Sequence, residues 1–341
     1  MKNRFYALDC LRFLAALGVI LFHLNATPGN WMSRLYLCVD LFFVLSGFVL
    51  EPVFPNRRNL QEYLKFILRR YIRLAPMLYS TLIFSLLYQL AIILKNSLSG
   101  GAERPNLHLT VASILCSVMF LQIFSSQSIL LNYPMWSLST EWIINLLLVF
   151  PLSGYSRKRN SWYIFCFGVL IQVINVINAL PEFISQLSRC LTGIILGVIV
   201  RGIFESAPIP VSKRISTIQI FVSLVSIFGV GHANDDVAPL LSTFSFATLI
   251  LAVARIEKSR SLRIPKSLAY WAATLSFGIY AWHVPLAGIV ERYSPTNVQS
   301  DIVLRFLLLS AISCLMGLVV SKYFERPIQG YLQRIVRNKL G

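Results

Sequence analysis

The stretch Thr110–Leu131, TVASILCSVMFLQIFSSQSILL, decides how the rest of the chain is laid out. It is apolar and about long enough to cross a bilayer, but Gln122, Ser125, Ser126, Gln127 and Ser128 interrupt it. Charge in the flanking loops discriminates, because cytoplasmic loops collect Lys and Arg. With Lys2 and Arg4 inside, the second connection belongs inside, and it carries Arg57, Arg58, Lys65, Arg69, Arg70 and Arg73. If 110–131 crossed, the Arg157-Lys158-Arg159 cluster would lie outside and every later loop would have the wrong sign. If it does not cross, Arg157–Arg159, Arg201/Lys213/Arg214 and Arg255–Lys266 all fall inside, and Asp235-Asp236 fall outside. The segment is therefore expected to be re-entrant or to lie along the outer surface, which is tolerated where protein or water covers it.

Apolar runs of spanning length occur near 6–25, 36–54, 75–94, 136–153, 161–179, 187–204, 215–231, 238–255, 269–290 and 302–323. The expected fold is an all-α polytopic membrane protein of about ten transmembrane helices with both termini cytoplasmic. Residues 1–341 read as one membrane-embedded domain with no appended soluble domain. The composition agrees: 56% of the 341 residues are hydrophobic and 13% charged, against about 25% charged in soluble domains. The net charge of +17 sits in loops, where topology places it, so nucleic acid is not an expected partner; the bilayer is. The six cysteines form no Cys-x-x-Cys pair, and His23, His108, His232 and His283 are scattered. No metal site is expected.

Several charges sit where a plain span needs none. In LDCLRFLAALGVILFHLN, Leu8–Asn25, Arg12 and His23 are eleven positions apart and share a helix face. Asp9 precedes Arg12 by one turn and can help it reach the inner interface. Asp40 enters the next run near the outer end, where a carboxylate can fix an imidazole tautomer. In RRYIRLAP, Arg69, Arg70 and Arg73 are at i, i+1 and i+4, so Arg69/Arg73 or Arg70/Arg73 can converge on one anion, and guanidinium forks suit phosphate. In NYPMWSLSTEWIINLLL, Trp136 and Trp142 alone would read as an interfacial belt. Ser137 and Glu141 do not fit that reading, and Glu141 needs a cation from another helix. His283 falls inside a late span, ahead of Pro285, and Glu325-Arg326-Pro327 caps the last helix.

Taken together these stretches resemble the acyltransferase-3 family of integral-membrane O-acyltransferases, over about residues 5–330. The likeness rests on the Arg-x(10)-His pattern at Arg12 and His23, VDLFFVLSGF, the Arg-x-x-Arg pair at Arg70 and Arg73, and WSLS-x-E from Trp136 to Glu141. IYAWH ending at His283 and FERP at 324–327 extend it. Val284 stands where the family often has Pro, and Thr140 where it usually has an aliphatic residue.

The resemblance implies transfer of an acyl group, acetyl by default, from acyl-CoA to a carbohydrate hydroxyl at the bacterial inner membrane. The acceptor class spans surface polysaccharide, O-antigen and lipid-linked saccharide, and polysaccharide-synthesis proteins are candidate partners. Acyl-CoA is a donor substrate; no permanently bound cofactor is implied. His23 is the expected general base, since a neutral imidazole can take the hydroxyl proton. Arg12 and Glu141 complete the expected catalytic set. Arg69, Arg70 and Arg73 are expected to bind the donor's phosphates, with Asp9, Asp40, Trp136, Ser137 and His283 in support. The polar face from Arg12 to His23 can line the route of the pantetheine arm, and 95–135 can form a lid. The competing reading is a non-enzymatic transporter or flippase, in which the same charges mark a substrate or proton path.

Overall fold

In the computed structural model every regular element among the described residues is helical. The structure describes all residues except 1–3, 26–30, 57–58, 100–109, 126–131, 155, 207–211, 231–234, 260–261, 294–300 and 341. Lys2, Arg57, Arg58, His108, Ser126, Gln127, Ser128, His232 and Arg260 lie outside that set.

The helices are α1 (Tyr6–Asn25), α2 (Cys38–Leu50), α3 (Leu60–Ser99), α4 (Val111–Val118), α5 (Met135–Leu148) and α6 (Arg157–Asn178). They continue with α7 (Glu182–Ser206), α8 (Lys213–Val230), α9 (Ala238–Lys258), α10 (Lys266–Tyr293), α11 (Ile302–Val320) and α12 (Arg326–Leu340). Eight helical segments among the described residues are long and apolar enough to cross a membrane. The protein is thus an all-α polytopic membrane protein. Of the ten apolar runs, 136–153 yields the 14-residue α5, about 21 Å at 1.5 Å per residue, short of a ~30 Å hydrocarbon core.

The deciding segment forms no spanning helix among its described residues. Its longest helix, α4, has eight residues, about 12 Å. A capping box starts it: Ser113 N donates to Thr110 Oγ1 at 3.1 Å, and Thr110 N to Ser113 Oγ at 3.2 Å. The helix ends at Phe120, whose φ of 58° is a left-handed conformation that bulky residues avoid. A 3-10 turn, Gln122–Phe124, follows.

The chain packs as two units, Met1–Phe66 with Ile144–Ser276, and Ile67–Ile143 with Phe277–Gly341. The core of the first unit is α2 against α7. A methyl at Gly47 would lie 1.9 Å from the Ile194 carbonyl oxygen, and one at Gly197 would lie 2.1 Å from that of Val44. Backbones approach this closely only where side chains are absent, the usual way helices associate in lipid. Phe48, Leu41, Val200 and Ile250 fill the space around the crossing. Arg201 is buried there with its guanidinium 5.1–5.6 Å from the rings of Phe5, Phe48 and Phe204.

Contacts at the two ends of this unit sort its loops. Glu257 accepts the first-turn N–H groups of Tyr6 and Ala7 at 2.6 and 2.9 Å, satisfying two of the donors that a helix start leaves without an intrahelical partner. At the same end Arg4 Nη2 donates to Ala269 O, Arg157 pairs with Glu51, and Lys158 reaches Ser206. Arg34 pairs with Asp235, joining the α1–α2 and α8–α9 connections. This grouping matches the one that loop charge gives. For cysteines placed singly in a chain lacking its native ones, a membrane-impermeant thiol reagent on intact cells should label position 133, whose side chain is exposed, and spare 158. Labelling at 158 with protection at 133 would reverse the assignment.

In the second unit α10 crosses α11 at Gly278 and Gly317, where an added methyl would lie 2.7–2.8 Å from the opposing Cα. A π-helical turn, Ser321–Glu325, separates α11 from α12.

Candidate functional site

The singled-out residues divide between the units. Asp9, Arg12, His23 and Asp40 belong to the first; Arg69, Arg70, Arg73, Trp136, Ser137, Glu141 and His283 belong to the second.

Along α1, eleven residues at 100° each return within about 20° of the starting face after three turns, a rise of about 16 Å. Arg12 is half-buried and His23 is exposed near the helix end, its ring edge-on to Phe22 at 5.0 Å. Asp9 accepts Arg4 Nε at 2.7 Å. Arg4 precedes the helix and folds back over its first turn, where a carboxylate already complements the helix dipole.

Asp40 is fully buried, and both its oxygens are held by Arg189: Nε to Oδ1 at 3.2 Å and Nη2 to Oδ2 at 2.8 Å. The Arg189 guanidinium lies 5.5 Å from the Tyr36 ring. The carboxylate read as a partner for an imidazole is thus committed to a bidentate ion pair. Arg189 went unnoticed in the sequence, although it is the lone cation in the run 187–200 and so announces a buried acid elsewhere.

In the second unit the cation that Glu141 requires is Arg70, from α3. Arg70 is buried, whereas Arg69 and Arg73, one turn apart on α3, are exposed. Of the two pairs read as able to converge on one anion, Arg70/Arg73 has its Arg70 on a carboxylate, and Arg69/Arg73 has both side chains exposed. Trp136 and Trp142 are buried, not an interfacial belt. Trp142 packs on Tyr71 and Phe120, each at 5.7 Å, because Tyr71 and the left-handed Phe120 present rings to it. Ser139 fixes that turn, donating to Phe120 O at 2.8 Å and accepting from Ile123 N at 3.3 Å.

Two prolines lie inside helices here, Pro76 in α3 and Pro285 in α10. Pro285 has no N–H for the carbonyl of Ala281, and Asn132 Nδ2 donates to that oxygen at 3.0 Å. Near Pro76, Gln329 Nε2 donates to Arg73 O at 3.0 Å. Ser137 Oγ and the Tyr280 hydroxyl are 2.5 Å apart, and both reach the Pro134 carbonyl, at 3.1 and 2.8 Å. His283 is fully buried, its Nδ1 2.9 Å from Tyr280 O and 3.1 Å from Ile279 O. Two carbonyls can only accept, so Nδ1 carries the proton. Tyr280 and Asn132 had no signal beyond their neighbourhood in IYAWH and NYP.

A family model described as an acyltransferase domain matches residues 5–325. YrhL of Bacillus subtilis (strain 168) is 24% identical over 355 residues, covering 94% of this chain and 54% of that protein. "O-acetyltransferase OatA" of Staphylococcus aureus (strain NCTC 8325 / PS 47) is 24% identical over 360 residues, covering 94% and 57%. "Peptidoglycan O-acetyltransferase OatA" of Listeria monocytogenes serovar 1/2a (strain ATCC BAA-679 / EGD-e) is 24% identical over 375 residues, covering 95% and 55%. The chain spans about half the length of the curated relatives it matches. No solved structure gives a significant match. With the family model covering nearly the whole helical chain, the protein belongs to the acyltransferase-3 family of integral-membrane O-acyltransferases.

Proposed function

We propose that the chain moves an acetyl group from acyl-CoA to a carbohydrate hydroxyl, in the bacterial cytoplasmic membrane with both termini cytoplasmic. The Bacillus and Listeria relatives are named for peptidoglycan, which supports a cell-wall glycan as the acceptor class. The observation that carries the reading is the accessible His23 imidazole at the end of α1, three turns from the half-buried Arg12. A hydroxyl is a poor nucleophile until a base removes its proton, and imidazole does so near neutral pH. A ring nitrogen of His23 takes the proton as the oxygen attacks the thioester carbonyl. The C–S bond then breaks, and the imidazolium returns the proton to the leaving thiolate. Arg12, three turns away on the same face, lines the route of the donor's pantetheine arm toward His23.

On the donor side, Arg69 and Arg73 present two exposed guanidinium groups for the phosphates of coenzyme A. Arg70 and Glu141 hold α3 to α5 and position that pair of cations. Arg69→Ala and Arg73→Ala should each raise the dissociation constant for acetyl-CoA, with about 1.5–3 kcal/mol lost per charge-assisted contact. Lysine at either position should restore only part, because a point charge cannot form the fork. Titration of labelled acetyl-CoA into the reconstituted protein measures this. Unchanged affinity in both alanine variants would remove the cluster from the donor site.

A further inference from the structure

We propose that a groove between α6 and α7 binds the headgroup of an anionic glycerophospholipid of the cytoplasmic leaflet. The groove lies at the end of the first unit that holds the N-terminus, and its cavity measures about 360 Å³. Its floor is rigid. Arg157 spends its guanidinium on Leu152 O, Glu51 O and Oε1, Phe54 O and Pro55 O, at 2.7–3.2 Å. That leaves Lys158 as the cation offered to a ligand: it is exposed, makes one hydrogen bond, to Ser206 Oγ at 3.4 Å, and pairs with no carboxylate among the described residues.

The walls are apolar. Trp162 is one turn from Lys158 on α6 and is 53% exposed; Ile203 of α7 is 44% exposed. Between them, a methyl added at Gly202 would meet nothing within 4 Å. An ammonium at the headgroup level, an indole one turn deeper and an open apolar trough suit a phosphodiester with its glycerol and upper acyl chains. A soluble anion would leave the indole and the aliphatic walls uncovered. Neither Lys158 nor Trp162 belongs to the transfer chemistry above, so the lipid site stands or falls apart from it.

The test is native mass spectrometry of the full chain, delipidated in detergent and given phosphatidylglycerol or phosphatidylcholine of matched chains. The wild type should retain phosphatidylglycerol with about fivefold preference. Lys158→Glu and Gly202→Leu should each lower that retention at least about fivefold, whereas Lys213→Glu, which reverses an exposed charge away from the groove, should not. Melting curves of the same samples check folding; should Gly202→Leu not fold, Lys158→Ala decides. Millimolar inorganic phosphate and acetyl-CoA should leave the bound lipid in place. Equal retention of the two lipids, or undiminished phosphatidylglycerol in Lys158→Glu, would overturn the site. Displacement by phosphate would make it a simple anion site, and displacement by acetyl-CoA would give it to the donor; either result rejects the lipid.

Discussion

His23→Ala is expected to lower acyl transfer by about 10²–10⁴-fold, the range for removal of a general base. The side chain is exposed at the end of α1, outside the packed crossing of α2 with α7, so the variant should insert and fold like the wild type. Affinity for acetyl-CoA should stay close to wild type, because the donor's charge is met on α3. The loss should therefore appear in kcat rather than in donor KM. Turnover of the purified variant above roughly a tenth of wild type would show that another group takes the proton.

Asp40→Ala should be the most destabilising single change among the charged residues, by about 3–5 kcal/mol. The carboxylate is fully buried and accepts both arms of Arg189, so its removal strands a guanidinium among helices. Replacing both partners behaves differently. An Asp40→Leu/Arg189→Met double variant leaves no buried charge and should recover most of the lost stability. Melting in detergent, followed by size-exclusion chromatography, distinguishes the cases. If the double variant melts as low as Asp40→Ala, the ion pair is not what the fold depends on there.

The all-helical membrane fold was legible because long apolar runs and loop charge are one-dimensional signals. That 110–131 does not cross was read from the sign of Arg157–Arg159 one helix later, and α4, the longest helix among its described residues, is too short to span. The need of Glu141 for a cation was legible from energetics alone; its partner, Arg70, was not, because periodicity does not say which helices adjoin. The same gap left Asp40 without Arg189. The burial of Trp136 and Trp142 agrees with setting the belt aside on the strength of Ser137 and Glu141, since interfacial and buried tryptophans look alike in sequence. Asn132 was invisible for a subtler reason: its role depends on the carbonyl that Pro285 leaves without a donor, on a distant helix.

The central claim, that this chain is a donor-dependent transferase, is tested most directly by purified protein in proteoliposomes given acetyl-CoA labelled in the acetyl group and a glycan acceptor. Saturable binding of the label, followed by its appearance as an alkali-labile ester on the glycan and release of free coenzyme A, is the predicted result. Absence of acetyl-CoA binding together with movement of unmodified glycan across the bilayer would contradict it and make the chain a carrier.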